Sequence, residues 1–149
     1  MTLFLRRCAA LLAFLCWTAG TVQAREMVSI AGAEVNMRSG PGTRHEAVWA
    51  LARGYPLAVT GRQGKWLKVK DFEHDQGWVL RSLTNRTPHH IVKASVANLR
   101  RSPGTRAAIV GKALYGDVLR TLERRGQWIK VRHEAGITGW IARRLVWGW

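Results

Sequence analysis

The sequence predicts an all-β protein made of two tandem small barrels, and two observations carry that prediction. The first is a repeat. Asn36-Met37-Arg38-Ser39-Gly40-Pro41-Gly42-Thr43-Arg44 returns as Asn98-Leu99-Arg100-Arg101-Ser102-Pro103-Gly104-Thr105-Arg106, a shift of 62 positions. The same shift carries Gly64-Lys65-Trp66 to Gly126-Gln127-Trp128 and Gly77-Trp78 to Gly139-Trp140, and 18 of the 48 positions over 36–83 are identical without a gap. One unit of roughly 60 residues has been duplicated, and that fact governs the fold. The second observation is periodicity. Past the N-terminal segment no stretch sustains the 3.6-residue apolar period of a helix. Short alternating runs broken by glycine at close spacing point to a small barrel.

Taken in order, Val35 to Arg38 is a short strand that runs into Ser39-Gly40-Pro41-Gly42, a stack of helix and strand breakers that must turn. Ala47 to Leu51 resumes an apolar run, and Arg53-Gly54 ends it. Leu57 to Gly61 is the next strand, and Gly64 makes a tight connection to Trp66-Leu67-Lys68-Val69-Lys70. There Trp66, Lys68 and Lys70 face one way and Leu67 and Val69 the other. Asp71 to Asp75 is a polar hairpin tip, with His74 read as solvated, and Gln76 to Leu80 pairs back. Arg81-Ser82-Leu83 is a single helical turn. The second unit repeats this order 62 residues later.

These motifs, Asn-x-Arg-x-x-Pro-Gly-Thr, Gly-x-Trp-x-Lys-Val and a closing Gly-Trp-[Val/Ile]-x-x-x-Leu, resemble the bacterial Src-homology-3-like (SH3b) domain. The resemblance covers nearly all of the chain after residue 24, in two copies. With Val48-Trp49-Ala50-Leu51 after the Pro-Gly turn, the first copy is similar to the exported tandem SH3-like proteins of Gram-negative bacteria. The resemblance implies a half-open barrel of five or six strands, with the Pro-Gly turn in the long loop before the third. It further implies a non-catalytic targeting module; several members bind peptidoglycan or its peptide stems, often beside a wall hydrolase. The acidic loop and paired aromatics of eukaryotic proline-peptide binding are not visible at matching positions.

The first 24 residues read as a signal peptide: Arg6-Arg7, an apolar run from Cys8 to Ala19, then Val22-Gln23-Ala24 with small residues where a signal peptidase reads. The run is short for a membrane span, which needs about 20 apolar residues; an uncleaved anchor is the alternative. The residues flanking Arg6-Arg7 do not support twin-arginine export, and bulky Phe14-Leu15 before Cys16 do not support a lipoprotein. The expected organisation is therefore a signal peptide at 1–24, one repeat at 25–86 and a second at 87–149. The expected product is periplasmic or secreted, with no transmembrane anchor after cleavage. Both cysteines, Cys8 and Cys16, would leave with the leader, removing any thiol chemistry.

Charge is abundant and uneven. Residues 25–86 carry 10 basic and 6 acidic side chains, residues 87–149 carry 12 and 3, so the net charges are +4 and +9. Such a field favours polyanions, anionic surfaces and acidic peptides without choosing among them. Arg100-Arg101, Arg124-Arg125 and Arg143-Arg144 are peculiar to the second repeat and are the candidate anion contacts; guanidinium forks suit carboxylate and phosphate. The alternative is a solvated basic rim.

The family resemblance implies a ligand groove between the long loop (39–51) and the turn at Gln63-Gly64, with Trp49, Tyr55 and Tyr115 as its candidate aromatics. The counterparts of Trp49 and Tyr55 are Gly111 and Asp117, and Tyr115 aligns with Arg53. Inter-repeat packing is the rival role for Trp49. Trp66, Trp78, Trp128 and Trp140 sit in alternating strands and read as core or inter-strand packing. The five-residue joint Thr84 to Pro88 is too short to be a flexible string, so the repeats should be close neighbours. Trp147-Gly148-Trp149 should either fold against the first repeat or dock a partner.

No Gly-x-Ser-x-Gly motif occurs, the carboxylates are scattered, and adjacent His89-His90 lack the spacing of a closed zinc site. No catalytic residue, metal or cofactor is assigned. Two copies of a small module suit binding by avidity better than catalysis in one asymmetric cleft. The expected function is a non-enzymatic envelope module recognising peptidoglycan or its peptides. The alternatives are an adaptor that recruits an envelope protein and a basic polyanion binder; nucleic acid is not the expected partner, and oligomeric state is left open.

Overall fold

The computed structural model describes residues 23–149, so the leader assigned to 1–24 lies, but for its last two residues, outside the described residues. The first sheet contains β1 (Met27–Ile30), β2 (Glu34–Arg38), β3 (Ala47–Ala52), β4 (Pro56–Gln63), β5 (Trp66–Lys70), β6 (Gln76–Leu80) and β7 (Thr84–Asn85). The second contains β8 (His89–Val92), β9 (Val96–Arg100), β10 (Ile109–Leu114), β11 (Val118–Arg125), β12 (Trp128–Arg132), β13 (Thr138–Ala142) and β14 (Val146–Gly148). A 3-10 turn precedes β7 at Arg81–Leu83 and β14 at Arg143–Leu145.

The strand orders are β3-β2-β6-β5-β4-β1-β7 and β10-β9-β13-β12-β11-β8-β14, the same path traced twice. Every recorded pairing is antiparallel. The expected all-β tandem fold is therefore observed, with a first and a last strand in each unit that the motif pattern did not reveal. β1 is buried throughout and so lacks the alternation that marks a half-exposed strand. β7 has only two residues. Irregularities are duplicated too. The register shifts at Val48 and again at Val110, and at Thr60 and again at Leu122, each pair 62 residues apart. These bulges bend the strands and let a short sheet curl upon itself.

Each sheet closes over its own core. Ile30, Val35, Met37, Leu51, Leu57, Leu67, Val69 and Val79 lie in the first core, and their counterparts Val92, Ala97, Leu99, Ala113, Leu119, Ile129, Val131 and Ile141 in the second. Side-chain volume lost from Leu51 to Ala113 is offset by Ile137, which packs against the second core where the first barrel has Asp75. Units this small are near the lower limit for an independent core.

The barrels touch. The Gly54 turn of the first lies against the His89 ring and Val118 of the second. His89 Nδ1 is 2.9 Å from the Thr87 carbonyl and 3.2 Å from the Ser29 hydroxyl. The Trp149 indole N–H donates to the same Ser29 oxygen at 3.1 Å. The Trp147–Trp149 tail thus folds back: β14 pairs with β8, and Trp149 reaches the first strand of the first barrel. Among the described residues no helix is long and apolar enough to cross a membrane.

Candidate functional site

Strand alternation gives each sheet an outward face. In the second barrel Leu99, Ile129, Val131 and Ile141 point into the core, so Asn98, Arg100, Trp128, Lys130, Trp140 and Ala142 point away from it. The ladder sets Arg100 beside Trp140, Trp140 beside Lys130, and Trp128 beside Ala142. A groove of about 510 Å³ opens on this face. Thr105, from the Pro-Gly loop, forms one wall and Gln127, next to the Gly126 turn, another. Trp128, Asn98, Arg100 and Arg144 supply an aromatic platform, an amide and two guanidinium groups.

The groove therefore lies between the two elements expected to flank it, in the second copy. Arg100 also holds the loop in place, because its Nη1 donates to the Ala107 carbonyl at 2.9 Å. Arg38 does the same in the first barrel, reaching the His45 carbonyl at 2.9 Å. That shared contact explains why the arginine recurs in both units, and it leaves further guanidinium donors facing the groove. At the counterpart positions the first barrel has Glu34 for Val96 and Ser82 for Arg144, so the two faces differ in charge.

The aromatic set Trp49, Tyr55 and Tyr115 does not form this groove. Trp49 stands 52% exposed on the edge strand β3, opposite Met37, which also corrects its alternative role in inter-repeat packing. Tyr55 packs against the first core, and its hydroxyl donates to Asp71 Oδ2 at 3.3 Å. Burial, then the charge of Asp71, pushes the Tyr55 phenol well above its usual range. Burial likewise raises the Asp71 carboxyl, against the pull of the Asp75 and Glu73 backbone N–H groups. Tyr115 donates its hydroxyl across the junction to Glu73, and that bond raises its phenol. Phe72 lies between the tyrosines, its ring centroid 6.4 Å from Tyr55 and 5.5 Å from Tyr115. Two of the three residues are thus joined, but as a junction between barrels.

The arginine pairs are split by the fold. Arg100 and Arg144 line the groove, whereas Arg101 and Arg143 are exposed outside its lining. Arg125 is engaged elsewhere, with Glu123 at 2.8 Å and over the Trp140 ring at 5.0 Å. Arg124 lines a separate hollow with Arg86 and Trp149. Of the four strand tryptophans, Trp140 is buried beneath Arg125, while Trp66, Trp78 and Trp128 are half-buried and lie outside both cores. Trp128 shares the lysine face of its strand, opposite Ile129 and Val131, and lies beside Ala142 of the neighbouring strand rather than in the core.

Among curated proteins the chain is similar to YrvJ of Bacillus subtilis (strain 168), provisionally named an N-acetylmuramoyl-L-alanine amidase, with 24% identity over 128 residues. The match takes in 78% of this chain and 24% of that protein, so the chain spans about a quarter of its relative's length. Among solved structures it aligns with NlpC1 from Trichomonas vaginalis at 13% identity and a TM-score of 0.38, over 91% of this chain and 50% of that one. An NlpC/P60 family protein from Bacillus cereus ATCC 10987 aligns at 13% identity and a TM-score of 0.35, over 82% and 56%. Two family models for the bacterial SH3 domain match, one over residues 31–85 and the other over residues 95–146. With one match on each sheet, the chain belongs to the bacterial SH3 domain family, as two such domains in tandem.

Proposed function

We propose that the protein is an exported, non-enzymatic binding module of the cell envelope that takes a peptide of peptidoglycan in the groove of the second barrel. The observation that carries this reading is the groove's composition: Trp128 as an apolar platform, flanked by Arg100 and Arg144, with Asn98, Gln127 and Thr105 as neutral hydrogen-bonding groups. Wall peptides carry carboxylates on short aliphatic side chains, and a guanidinium pair beside an aromatic surface suits both features. The name of the Bacillus relative refers to an N-acetylmuramoyl-L-alanine amidase, which is consistent with a wall ligand for shared binding modules.

The test is retention on purified, protein-free sacculi. Retention that survives about 0.3 M salt, where exposed charge contacts are largely screened, and that falls in Trp128→Ala supports the proposal. No retention at low salt removes it.

A second reading, a periplasmic adaptor for an envelope protein, is favoured by the edge strands. β3 ends one sheet and β10 the other, and they expose Trp49 at 52%, Ile109 at 50% and Leu114 at 55%. Uncovered strand edges with apolar side chains can accept a further strand from a partner. Capture of one envelope protein without sacculus binding would select this reading.

A further inference from the structure

A hollow of about 480 Å³ lies where the barrels meet and shares no residue with the groove. Arg53 reaches it from the first barrel; His89, Asp117, Arg120, Arg132 and His133 reach it from the second, with exposed Glu134 also in its lining. Arg120 and Arg132 are direct partners in the β11–β12 ladder, so both side chains leave the same face of the sheet. Like charges placed opposite one another in a ladder repel.

That repulsion is only partly offset, by the Asp117 and Glu134 carboxylates that share the hollow. Among the described residues Arg53, Arg120 and Arg132 make no ion pair. Asp117 is committed: its Oδ2 accepts the Leu114 backbone N–H at 2.7 Å and faces His133 Nε2 at 3.1 Å. Three guanidinium groups are thus set against two carboxylates, Asp117 and Glu134, the latter on the exposed hairpin tip, which leaves an excess of positive charge in the hollow.

The lining also differs from what duplication would have left there. The counterparts of Arg53, His89, Arg120 and His133 are Tyr115, Met27, Ala58 and Asp71. Only Arg132 has a basic counterpart, Lys70. Divergence between the copies has gathered charged and ring-nitrogen groups at the junction, with the carboxylates of Asp117 and Glu134 (counterparts Tyr55 and Phe72) among them and the basic groups in excess.

We infer that this inter-barrel hollow is an anion site for a phosphate group carried on a small polar molecule. Three forks from two barrels match the several oxygens and double charge of a phosphate, whereas a monocarboxylate would occupy one fork and leave the Arg120–Arg132 repulsion in place. The volume exceeds what a lone ion requires, which leaves room for a polar carrier. Because Arg53 belongs to one barrel and Arg120 and Arg132 to the other, the bound anion would also tie the barrels together.

The experiment is calorimetric titration of the full mature chain with inorganic phosphate and with glycerol 3-phosphate, at constant ionic strength and with acetate as the monocarboxylate control. Saturable phosphate binding is expected, weakened at least about ten-fold in Arg120→Gln, in Arg132→Gln and in Arg53→Gln. Arg106→Gln, an exposed arginine outside the hollow, should bind as the parent does. Tighter binding of glycerol 3-phosphate than of inorganic phosphate identifies a phosphomonoester as the ligand, and the reverse order identifies the free ion. Both Arg120→Gln and Arg53→Gln remove exposed side chains from different barrels, so one misfolded variant does not end the test. A response to phosphate no greater than to acetate, binding that persists in these variants, or equal loss in Arg106→Gln would overturn the inference.

Discussion

Gly54 and Gly116 occupy the same turn in the two barrels, with φ of +82° and +83°, but only Gly54 carries a neighbour on its open side. A Cβ on Gly54 would lie 2.8 Å from the His89 ring and 3.1 Å from Val118; one on Gly116 would meet nothing within 4 Å. His89 cannot swing away freely, because Nδ1 is held by Thr87 and Ser29. Gly116→Ala should therefore cost about 1–2 kcal/mol, the left-handed backbone penalty alone. Gly54→Ala should cost about 1–3 kcal/mol more, as an overpacked contact does. Urea unfolding of the whole chain reads both. Equal costs would mean that the barrels do not keep this contact in solution.

His90 gives the fold an acid-sensitive point. It is buried beneath the tail, with Nδ1 2.6 Å from Thr121 Oγ1. Burial above all, and then the charge of Arg124, pushes its imidazole down to about 4. The folded state therefore holds His90 neutral where the unfolded chain would take up a proton. Its contribution is fully present above the unfolded value near 6.5 and is lost as pH falls toward 4. The loss across that window is about 3 kcal/mol. Asp71 acts in the opposite sense: its raised carboxyl favours the fold at low pH, and that contribution fades as pH rises through the folded value. The difference between the parent and His90→Gln cancels Asp71. Chemical denaturation from pH 7 to pH 4 should show a shallower decline in His90→Gln, and parallel curves would reject the assignment.

The hairpin tip of the first barrel stores strain that the second avoids. His74 has φ +72°, and its counterpart Gly136 has φ +85°. A left-handed non-glycine residue costs about 1–2 kcal/mol, and glycine returns about 0.5–1 kcal/mol of that as chain entropy. His74→Gly should stabilise the protein by about 0.5–1 kcal/mol, and Gly136→His should destabilise it by a similar amount. Differential scanning calorimetry on both variants checks the pair. A lower melting temperature in His74→Gly would show that the imidazole makes a contact the fold depends on.

The sequence is a good guide wherever the duplication constrains it. Offsets of 62 locate the paired turns and the Pro-Gly loops, and the structure shows that the same offset relates eight core positions, because packing demands similar side chains at equivalent places. It guides poorly where the copies diverge, since no second copy then fixes a residue's surroundings. Trp49, which has no place in the core pattern and no aromatic counterpart at Gly111, stands on an outer edge. Tyr115, a groove candidate whose counterpart is Arg53, instead sends its hydroxyl across to Glu73 of the other barrel, a contact that depends on how the barrels meet. Of the two roles that alternation leaves open for Trp128, core or inter-strand packing, the structure excludes the core, because the ring shares the lysine face of its strand.

That last distinction yields the most direct prediction about binding. Trp128 lines the groove with Arg100 and Arg144, whereas Trp49 lies on β3 outside it. Trp128→Ala should weaken retention on sacculi by about 1–3 kcal/mol, the usual loss for an aromatic anchor, with little change in salt dependence. Arg144→Gln should mainly slow association and flatten the salt dependence, since its charge lies at an exposed rim. Trp49→Ala should leave sacculus binding unchanged and weaken only capture of a protein partner at the edge strand. Melting curves run on each variant separate lost binding from lost folding, because Trp128 is half-buried. If Trp49→Ala abolishes sacculus retention per folded molecule while Trp128→Ala does not, the wall ligand sits at the edge strand and the groove is not its site.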